Sequence, residues 1–345
     1  MGILTKIPNS MLKTPGGGGT DTVVAGFDMT AINTALASAG NDGSVFFPAG
    51  NYTVAGLTAS YQNQTWKCAR GAVFTKADGD TDPTIALSAS GLVIDGGEWN
   101  GNRTGAPATA VFVDGTGTDF TIRNAYCHGF TSWGIAIDNG ELVVEDCIFT
   151  DLVAAAIIWR ATSKNGADFR KGPRISRTKI DRRTGYVSSA GILIRSVGTG
   201  IYHQNTSITD CDVFMPATGE ATSDNVGIEV TEAAYARISG CHVEGSRIAY
   251  SYGGNSRSVI TGNTAVAVGD YIVELATACN DCSVVGNAGT GLSLTTAGIG
   301  GCVITGGGSG NLVVGNRIGQ GFPNVVYQDA LSAAASPANL VADNI

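Results

Sequence analysis

The sequence predicts an all-β fold, a single-stranded parallel β-helix (a solenoid) opened by a short N-terminal capping α-helix. Glycine accounts for 49 of the 345 residues, and only 14% of the residues are charged. Average soluble domains contain about 7% glycine and about 25% charged residues, so this chain combines many turn positions with a long, weakly charged core. A short apolar phrase also recurs along most of the chain, which is typical of solenoids.

The first residues are predicted to form a separate arm and hinge. Residues 1–20 contain Pro-Gly-Gly-Gly-Gly-Thr at positions 15–20, a flexible composition. A capping helix is expected at about 28–40, because Ile32, Leu36 and Ala39 share one helical face and Gly40 can end a helix. Such a helix would cover the open sheet edge of the first coil.

The recurring phrase marks the coils of the solenoid, predicted to extend over residues 21–330 with a short tail at 331–345. Each copy has an apolar residue, any residue, then Gly, Asp or Asn in most copies, and finally a small or stacking residue. The copies end at positions 125, 147, 211, 241, 263, 287 and 316, with one more around 175–178. A second phrase, an alternating strand opened by a small residue, follows several copies. Each repeat of about 22 residues therefore predicts one coil of two or three strands, with successive coils stacked in parallel about 4.8 Å apart.

The last residue of the phrase predicts a ladder through the core. It is cysteine at 147, 211 and 241 and asparagine at 263, 287 and 316, and stacked asparagine amides can hydrogen-bond one another. The eight cysteines are therefore interpreted as small buried side chains rather than disulfides. Cys279 and Cys282 form a lone CxxC without a second pair or a nearby histidine, so we predict no metal site and no cofactor.

Two segments carry a family resemblance. The helix followed by Gly-Ser-Val-Phe-Phe-Pro-Ala-Gly-Asn-Tyr at 43–52 resembles the entry segment of pectate-lyase-like right-handed β-helix proteins. The resemblance covers roughly residues 24–330 and implies that the predicted parallel β-helix is right-handed. The arm at 4–12 is similar to the leader of many bacteriophage tail proteins. Together they resemble a phage tailspike, which implies a homotrimer that binds, and often cleaves, bacterial surface polysaccharide. The resemblance also implies attachment to other phage tail proteins through the arm, a place in the virion, and extracellular action. Residues 1–12 lack the apolar region of a secretory signal, in agreement with release by lysis.

The chain also departs from these families. The Asn-Thr-Asp, Asp-Asp, Gly-His-Gly and Arg-Ile-Lys motifs of polygalacturonases are absent, so no catalytic residue is carried over. We find no match to the acidic cluster of calcium-dependent pectate lyases. A large C-terminal trimer-forming domain, common in tailspikes, is not expected after Gln328.

The catalytic candidates are three outward-facing carboxylates. Strand alternation directs Asp138 and Glu229 out of the solenoid. Glu229 and Glu274 are two coils apart, about 9.6 Å, close to the spacing of an inverting glycosidase pair. Glu274 faces outward only if its strand is read one residue out of register. The alternative is that these are scattered, solvated carboxylates.

The binding candidates are cations and aromatic rings. Residues 160–195 contain ten Lys or Arg and two Asp, a net charge of +8 against −16 for the rest of the chain. This charge predicts binding of an anionic glycan such as lipopolysaccharide or capsule, or alternatively pairing with a neighbouring subunit. Trp133 lies in a predicted turn, Tyr252 and Tyr250 point either outward or into the core, and His203 is a candidate general base for a lyase. The substrate-binding candidates are Arg160, Arg170, Lys171, Arg182, Arg183, Arg195, Trp133 and Tyr252.

These observations narrow the function classes. The net charge of −8 argues against a general nucleic-acid binder, and no run of 18 apolar residues predicts a membrane span. The leading hypothesis is a tailspike, or receptor-binding protein, for a bacterial surface polysaccharide. The alternatives are a secreted bacterial polysaccharide lyase or hydrolase and a non-catalytic β-helix adhesin. The sequence leaves open whether the glycan is hydrolysed, cleaved by elimination or only bound.

Overall fold

The computed structural model describes residues 21–105, 111–162, 170–182, 190–197, 202–216, 225–291, 301–319, 322, 324–335 and 337–345. The predicted arm at 1–20 and the candidate Arg183 lie outside these ranges.

The capping helix spans Met29–Ala39, close to its predicted bounds. The Asp28 carboxylate caps its first turn by accepting a hydrogen bond from the Ala31 N–H (2.8 Å), and Gly40 ends it at a φ of 64°. Ile32 and Leu36 are buried against the first coil. The side-chain amide of Gln64, in the solenoid, donates a hydrogen bond to the carbonyl of Leu36 near the end of the helix (2.9 Å). The helix therefore closes the N-terminal end of the core.

Three parallel sheets form the sides of the solenoid, and successive coils cross them in the order A, B, C. Sheet A consists of Thr22–Val23, Ser44–Phe47, Thr65–Cys68, Leu92–Asp95, Phe120–Arg123, Leu142–Glu145, Arg174–Ser176, Ser207–Thr209, Arg237–Ser239, Val259–Thr261, Ser283–Val285, Leu312–Val314 and Leu340–Ala342. Sheet B consists of Gly50–Val54, Ala72–Lys76, Glu98–Asn100, Tyr126–His128, Ile148–Thr150, Lys179–Asp181, Asp212–Phe214, His242–Glu244, Thr264–Val268, Ala288–Gly291 and Arg317–Ile318. Sheet C consists of Leu57–Ala59, Ile85–Leu87, Val113–Thr116, Ile135–Asp138, Ile157–Ala161, Ile192–Ser196, Val226–Thr231, Ile248–Gly253, Tyr271–Ala276, Cys302–Ile304 and Val326–Gln328.

A short fourth sheet, sheet D, lies between sheets C and A in the middle coils. It contains Arg170–Lys171, His203–Gln204 and Ala233–Ala234. The all-β prediction is confirmed: the described residues contain these strands, the capping helix and one helical turn at Ala330–Ala333.

The recurring phrase turns the chain from sheet A to sheet B. Its third residue has a positive φ in successive coils, for example 56° at Asn124, 53° at Asp146 and 66° at Gly240. Glycine, asparagine and aspartate adopt this left-handed conformation at the lowest cost, which explains the composition of the phrase. Arg177 adopts it as well (φ 46°), and its guanidinium binds the Asp146 carboxylate of the preceding coil at 2.7 and 2.9 Å.

The fourth residue of the phrase forms the predicted ladder. The Asn263 side-chain amide donates to Oδ1 of Asn287 (2.9 Å), and the Asn287 amide donates to Oδ1 of Asn316 (2.9 Å). The backbone N–H of Cys241 donates to Oδ1 of Asn263 (2.8 Å), which joins the cysteine ladder to the asparagine ladder. All eight cysteines are free thiols, and all but Cys68 are buried.

The predicted short tail at 331–345 is corrected by the structure, because residues 340–344 belong to the solenoid. Leu340–Ala342 pairs with Leu312–Val314 and adds a further strand to sheet A. Asn344 extends the ladder by accepting a hydrogen bond from the Asn316 amide (2.9 Å). Asn339 extends a second ladder by accepting from the Asn311 amide (3.0 Å).

Candidate active site

The outer face of sheet C carries an acidic column formed by Glu229, Ser251 and Glu274. Glu229 pairs in register with Ser251 on the next coil, and Ser251 pairs with Glu274 on the coil after that. The two glutamates are therefore two strand spacings apart, about 9.6 Å. Hydrolysis with inversion uses two carboxyl groups about 6.5–9.5 Å apart, so this column has suitable spacing for that reaction.

The outward direction of Glu274 results from an irregularity at the start of its strand. Ile272 and Val273 are both fully buried, so two consecutive side chains face the core before the alternation resumes at Glu274. Gly227 and Ala249 occupy the position of Ile272 in the two preceding coils. A Cβ at Gly227 would lie 2.5 Å from a Val243 methyl group and 2.7 Å from the Ala249 carbonyl oxygen. A small residue is therefore needed at position 227, which agrees with the small residues that open the second phrase in other coils.

The Glu274 carboxyl is partly buried and hydrogen-bonded. Burial raises its pKa, with a further contribution from the nearby negative charge of Asp270. A hydrogen bond from the Ser251 hydroxyl to Oε2 (2.9 Å) and the positive charge of Arg247 act in the opposite direction. Arg247 itself pairs with Asp270 at 3.2 Å. Because the protonated form of Glu274 is favoured by its surroundings, this carboxyl is suited to act as a general acid.

An apolar surface lies beside the two glutamates. On the outer face of sheet C, Ala190, Val226 and Ile248 form a small hydrophobic cluster separate from the main core, and Leu193 and Tyr271 pack against it. Leu193 is in register with Glu229, and Tyr271 lies on the same strand as Glu274. Ligand sites commonly combine an apolar lining with a few polar groups, as this surface does. Sequence reasoning missed Ser251, Arg247, Tyr271 and Leu193, which are identifiable only from the register of the coils.

A basic group occupies the same face closer to the N-terminus. Arg160 forms a bidentate ion pair with the Asp138 carboxylate (2.6 and 3.0 Å), and its guanidinium lies 5.5 Å from the centre of the Trp133 ring. Arg195 follows in register on the next coil. It is exposed, and among the described residues no side chain forms an ion pair with it. Asp114 also borders this group, and its pKa is raised by reduced hydration and by the charge of Asp138.

Asp138 is therefore not part of the glutamate pair. Its strand lies three spacings, about 14 Å, from the strand of Glu229. Its carboxylate is neutralised by Arg160, so the expected catalytic role of Asp138 is replaced by a role in holding Arg160.

The predicted basic patch is distributed over several sides of the solenoid. Lys171 and Arg174 pair with Glu141 at 2.6 and 3.3 Å, and Lys179 packs over the Phe214 ring in sheet B. Arg170 lies in sheet D. Acidic side chains of preceding coils thus neutralise part of the charge. In sheet C the segment contributes only Arg160 and Arg195 to the described outer face.

Three candidates from the sequence are buried and cannot contact a glycan. Arg182 is 1% exposed and donates to the carbonyls of Ala190 (3.0 Å) and Val153 (3.1 Å), so it braces neighbouring coils. Burial lowers its pKa to about 10. Tyr252 is fully buried with Tyr250, and its hydroxyl donates to the Val259 carbonyl (2.9 Å), so the outward interpretation of these rings is wrong.

His203 is also buried, which contradicts its expected role as a general base. Nδ1 is 2.9 Å from the Thr206 hydroxyl, Nε2 is 3.1 Å from the Thr231 carbonyl oxygen, and the ring contacts Trp159 edge-on. Burial lowers the pKa of His203 to about 4. Its neutral imidazole is a structural element of the core.

Comparison with known proteins agrees with this architecture. The family model described as "Right handed beta helix region" matches residues 109–318, more than half of the chain. The chain belongs to this right-handed β-helix family. The predicted fold class, including its handedness, is confirmed.

Solved structures show the same fold at low sequence identity. PfbA, a surface adhesin of Streptococcus pneumoniae, has a TM-score of 0.69 and 14% identity, with 92% of this chain and 94% of that chain covered. The catalytic domain of a GH87 α-1,3-glucanase in complex with nigerose has a TM-score of 0.59 and 11% identity, with 96% and 70% covered. The A-module of mannuronan C-5 epimerase AlgE6 of Azotobacter vinelandii has a TM-score of 0.55 and 14% identity, with 92% and 94% covered.

No curated protein matches the sequence. In the part of the chain that the structure describes, no helix has the length and apolar character needed to cross a membrane.

Proposed function

We propose that this right-handed β-helix protein is a phage tailspike, or receptor-binding protein, that binds an anionic bacterial surface polysaccharide along the outer face of sheet C and hydrolyses it. One observation carries the proposal. Two glutamates lie in register two coils apart on this face, and the surroundings of Glu274 raise its pKa. The polysaccharide class is supported by the family fold and by the exposed Arg195 beside the acidic column.

In the proposed reaction, Glu274 is the general acid and Glu229 is the general base. Glu274 donates its proton to the glycosidic oxygen as the bond to the anomeric carbon breaks. Glu229 accepts a proton from water, whose oxygen attacks the opposite face of the anomeric carbon. The products are a free hydroxyl on the leaving sugar and an inverted anomeric hydroxyl on the other. Leu193 and Tyr271 provide an apolar surface for the sugar ring.

The basic group would hold the polymer on the N-terminal side of the acidic column. Arg195 lies on the strand before that of Glu229, Arg160 lies one coil further away, and Trp133 lies in the turn that precedes the strand of the next coil beyond, within reach of the Arg160 guanidinium. A carboxylate or phosphate of lipopolysaccharide or capsule would bind Arg195 through charge-assisted hydrogen bonds. Trp133 would contact the ring of a neighbouring sugar.

Chain-length measurements test the proposal directly. Lipopolysaccharide and capsular polysaccharides purified from a bacterial strain panel are incubated with the protein, and their size is followed by gel filtration. We expect shortening by the native protein and a loss of about 100-fold or more in rate for Glu274→Gln and for Glu229→Gln. Glu244→Gln in sheet B is the matched control and is expected to retain full activity.

Other outcomes select the alternatives. Cleavage that survives in both glutamine variants would show that the carboxylate assignment is wrong. Products with an unsaturated sugar, detected by ultraviolet absorbance, would indicate a lyase. Binding of the polysaccharide without shortening would favour the non-catalytic adhesin.

The tailspike assignment makes a separate prediction about assembly. It rests on the resemblance of the leader at 4–12 and implies a homotrimer carried in the virion and attached to other tail proteins by the arm. Light scattering during gel filtration is expected to give three times the 35.1 kDa chain mass. A single-chain mass would contradict the trimer and favour the secreted bacterial enzyme.

A further inference from the structure

A second groove lies at the corner between sheets A and B, away from sheet C. It has a volume of about 550 Å³ and crosses four coils, from Lys67 to Ile148. Its lining includes Arg70, Asp95 and Tyr126. A volume of this size falls within the range of small-molecule sites, about 300–1,000 Å³.

Two glycines line the groove at the corner of one of its coils. Gly96 and Gly97 both have a φ of 89° and occupy the corner that Asn124 and Ala125 occupy one coil later. A Cβ at Gly96 would lie 2.8 Å from the Cys68 carbonyl oxygen, and a Cβ at Gly97 would lie 2.9 Å from Nε1 of Trp99. Side chains are therefore excluded at this point.

One wall of the groove is an aromatic ring held in a fixed orientation. The Tyr126 ring stacks on the His128 ring with centroids 4.7 Å apart and planes 19° apart. The Tyr126 hydroxyl lies 3.1 Å from the Thr150 hydroxyl, and Nε2 of His128 lies 3.1 Å from Oε1 of Glu98. His128 covers one face of the tyrosine ring. Tyr126 is 38% exposed and lines the groove, so its other face is available there.

Polar groups of both charges surround this ring. The Asp95 carboxylate is held by the Asn124 amide (2.8 Å) and by Arg123 (3.0 Å). Glu98 is 42% exposed, and Arg70 is exposed. Carboxylate oxygens accept hydrogen bonds from sugar hydroxyls, a guanidinium donates to them, and the apolar face of a sugar ring packs on an aromatic ring.

We infer that this groove is a second carbohydrate-binding site, in which a pyranose ring stacks on Tyr126 while Asp95, Glu98 and Arg70 bind its hydroxyl groups. The site has no catalytic role in this proposal, and it lies at the corner between sheets A and B, away from sheet C. A glycan bound there would keep the protein on a polysaccharide surface while another segment occupies sheet C, since linked sites raise the effective concentration. The ligand class rests on the proposed function, whereas the groove itself does not.

Saturation-transfer NMR with the full chain tests this inference. The probes are the methyl glycosides of glucose, galactose, mannose and rhamnose, together with N-acetylglucosamine. We expect at least one probe to bind, with affinity reduced at least fivefold in Tyr126→Ala and in Tyr126→Leu. Tyr126→Phe retains the ring and is expected to bind normally. Tyr235→Ala removes another exposed tyrosine, outside the groove, and is expected to bind normally as well.

Two results would overturn the inference: no probe binds, or binding is unchanged in both Tyr126→Ala and Tyr126→Leu while thermal unfolding shows that the variants are folded. Glu274→Gln separates this site from the proposed active site. It is expected to abolish cleavage while leaving probe binding at Tyr126 intact, and the Tyr126 variants are expected to retain cleavage of short oligosaccharides.

Discussion

At the scale of single residues, the proposed chemistry depends on the protonation of Glu274. The acid must carry its proton, so the rate falls as pH rises through the pKa of this carboxyl. Burial raises that pKa, whereas the Ser251 hydroxyl stabilises the ionised form by donating to Oε2 at 2.9 Å. Removing the hydroxyl therefore favours the protonated form.

We predict that Ser251→Ala shifts the alkaline limb of kcat/KM to higher pH. The acid limb, which reports ionisation of the base, is expected to stay in place. The pH–rate profile of the variant against that of the native protein measures both limbs. Ser283→Ala on sheet A serves as the control, and an alkaline limb that stays in place or moves to lower pH would contradict the role of Ser251.

His203 makes a second residue-scale prediction, concerning stability. Its pKa of about 4 in the folded protein lies below the ordinary value of 6.5, so the unfolded chain binds the proton more strongly. Its contribution to stability is complete above about pH 6.5 and is lost as pH falls towards 4, by about 3 kcal/mol. Urea unfolding across this range is expected to show a smaller pH dependence in His203→Gln. Equal pH dependence in the two proteins would contradict the assignment.

At the scale of structural elements, the asparagine ladder links neighbouring coils. The Asn287 amide donates to the Ile260 carbonyl (3.0 Å) and to Asn316, and its Oδ1 accepts from the backbone and side chain of Asn263. All these groups are buried, and each unsatisfied one costs about 1–3 kcal/mol. Asn287→Ala is therefore expected to lower the free energy of unfolding by about 3–5 kcal/mol.

The end of the ladder provides the control. Asn344 is half-buried, and among the described residues it has a ladder partner on one side alone, so Asn344→Ala is expected to cost less than Asn287→Ala. Equal losses of unfolding free energy in the two variants would contradict a role for the ladder in stability.

Much of this architecture could be predicted from sequence because each coil repeats the same steric requirement. The left-handed corner restricts one position mainly to Gly, Asn or Asp, and the buried position after it admits small or stacking residues. The outward direction of Glu274 was harder to predict, because it depends on two consecutive inward residues, Ile272 and Val273. The burial of Arg182 was also missed, since its partners are backbone carbonyls that leave no pattern in the sequence.

At the scale of the whole molecule, the proposed active site and the proposed second binding site lie on different sides of the solenoid. The outer face of sheet C places Arg160, Arg195, Glu229 and Glu274 within five consecutive coils, although they are up to 114 residues apart in sequence. The corner between sheets A and B carries the Tyr126 groove. The overall charge of −8 and the +8 segment did not predict this division, because the basic residues wind around the coils instead of forming one patch.

In the proposed mechanism, a polysaccharide binds along sheet C with the scissile bond between Glu229 and Glu274. A crystal structure of Glu274→Gln with oligosaccharides released by the native protein would locate the bound sugar chain. We expect a sugar chain on the outer face of sheet C that passes Arg195, with a glycosidic oxygen beside residue 274 and a water beside Glu229. A chain bound only on another face, or on sheet C without contacting either position, would contradict it.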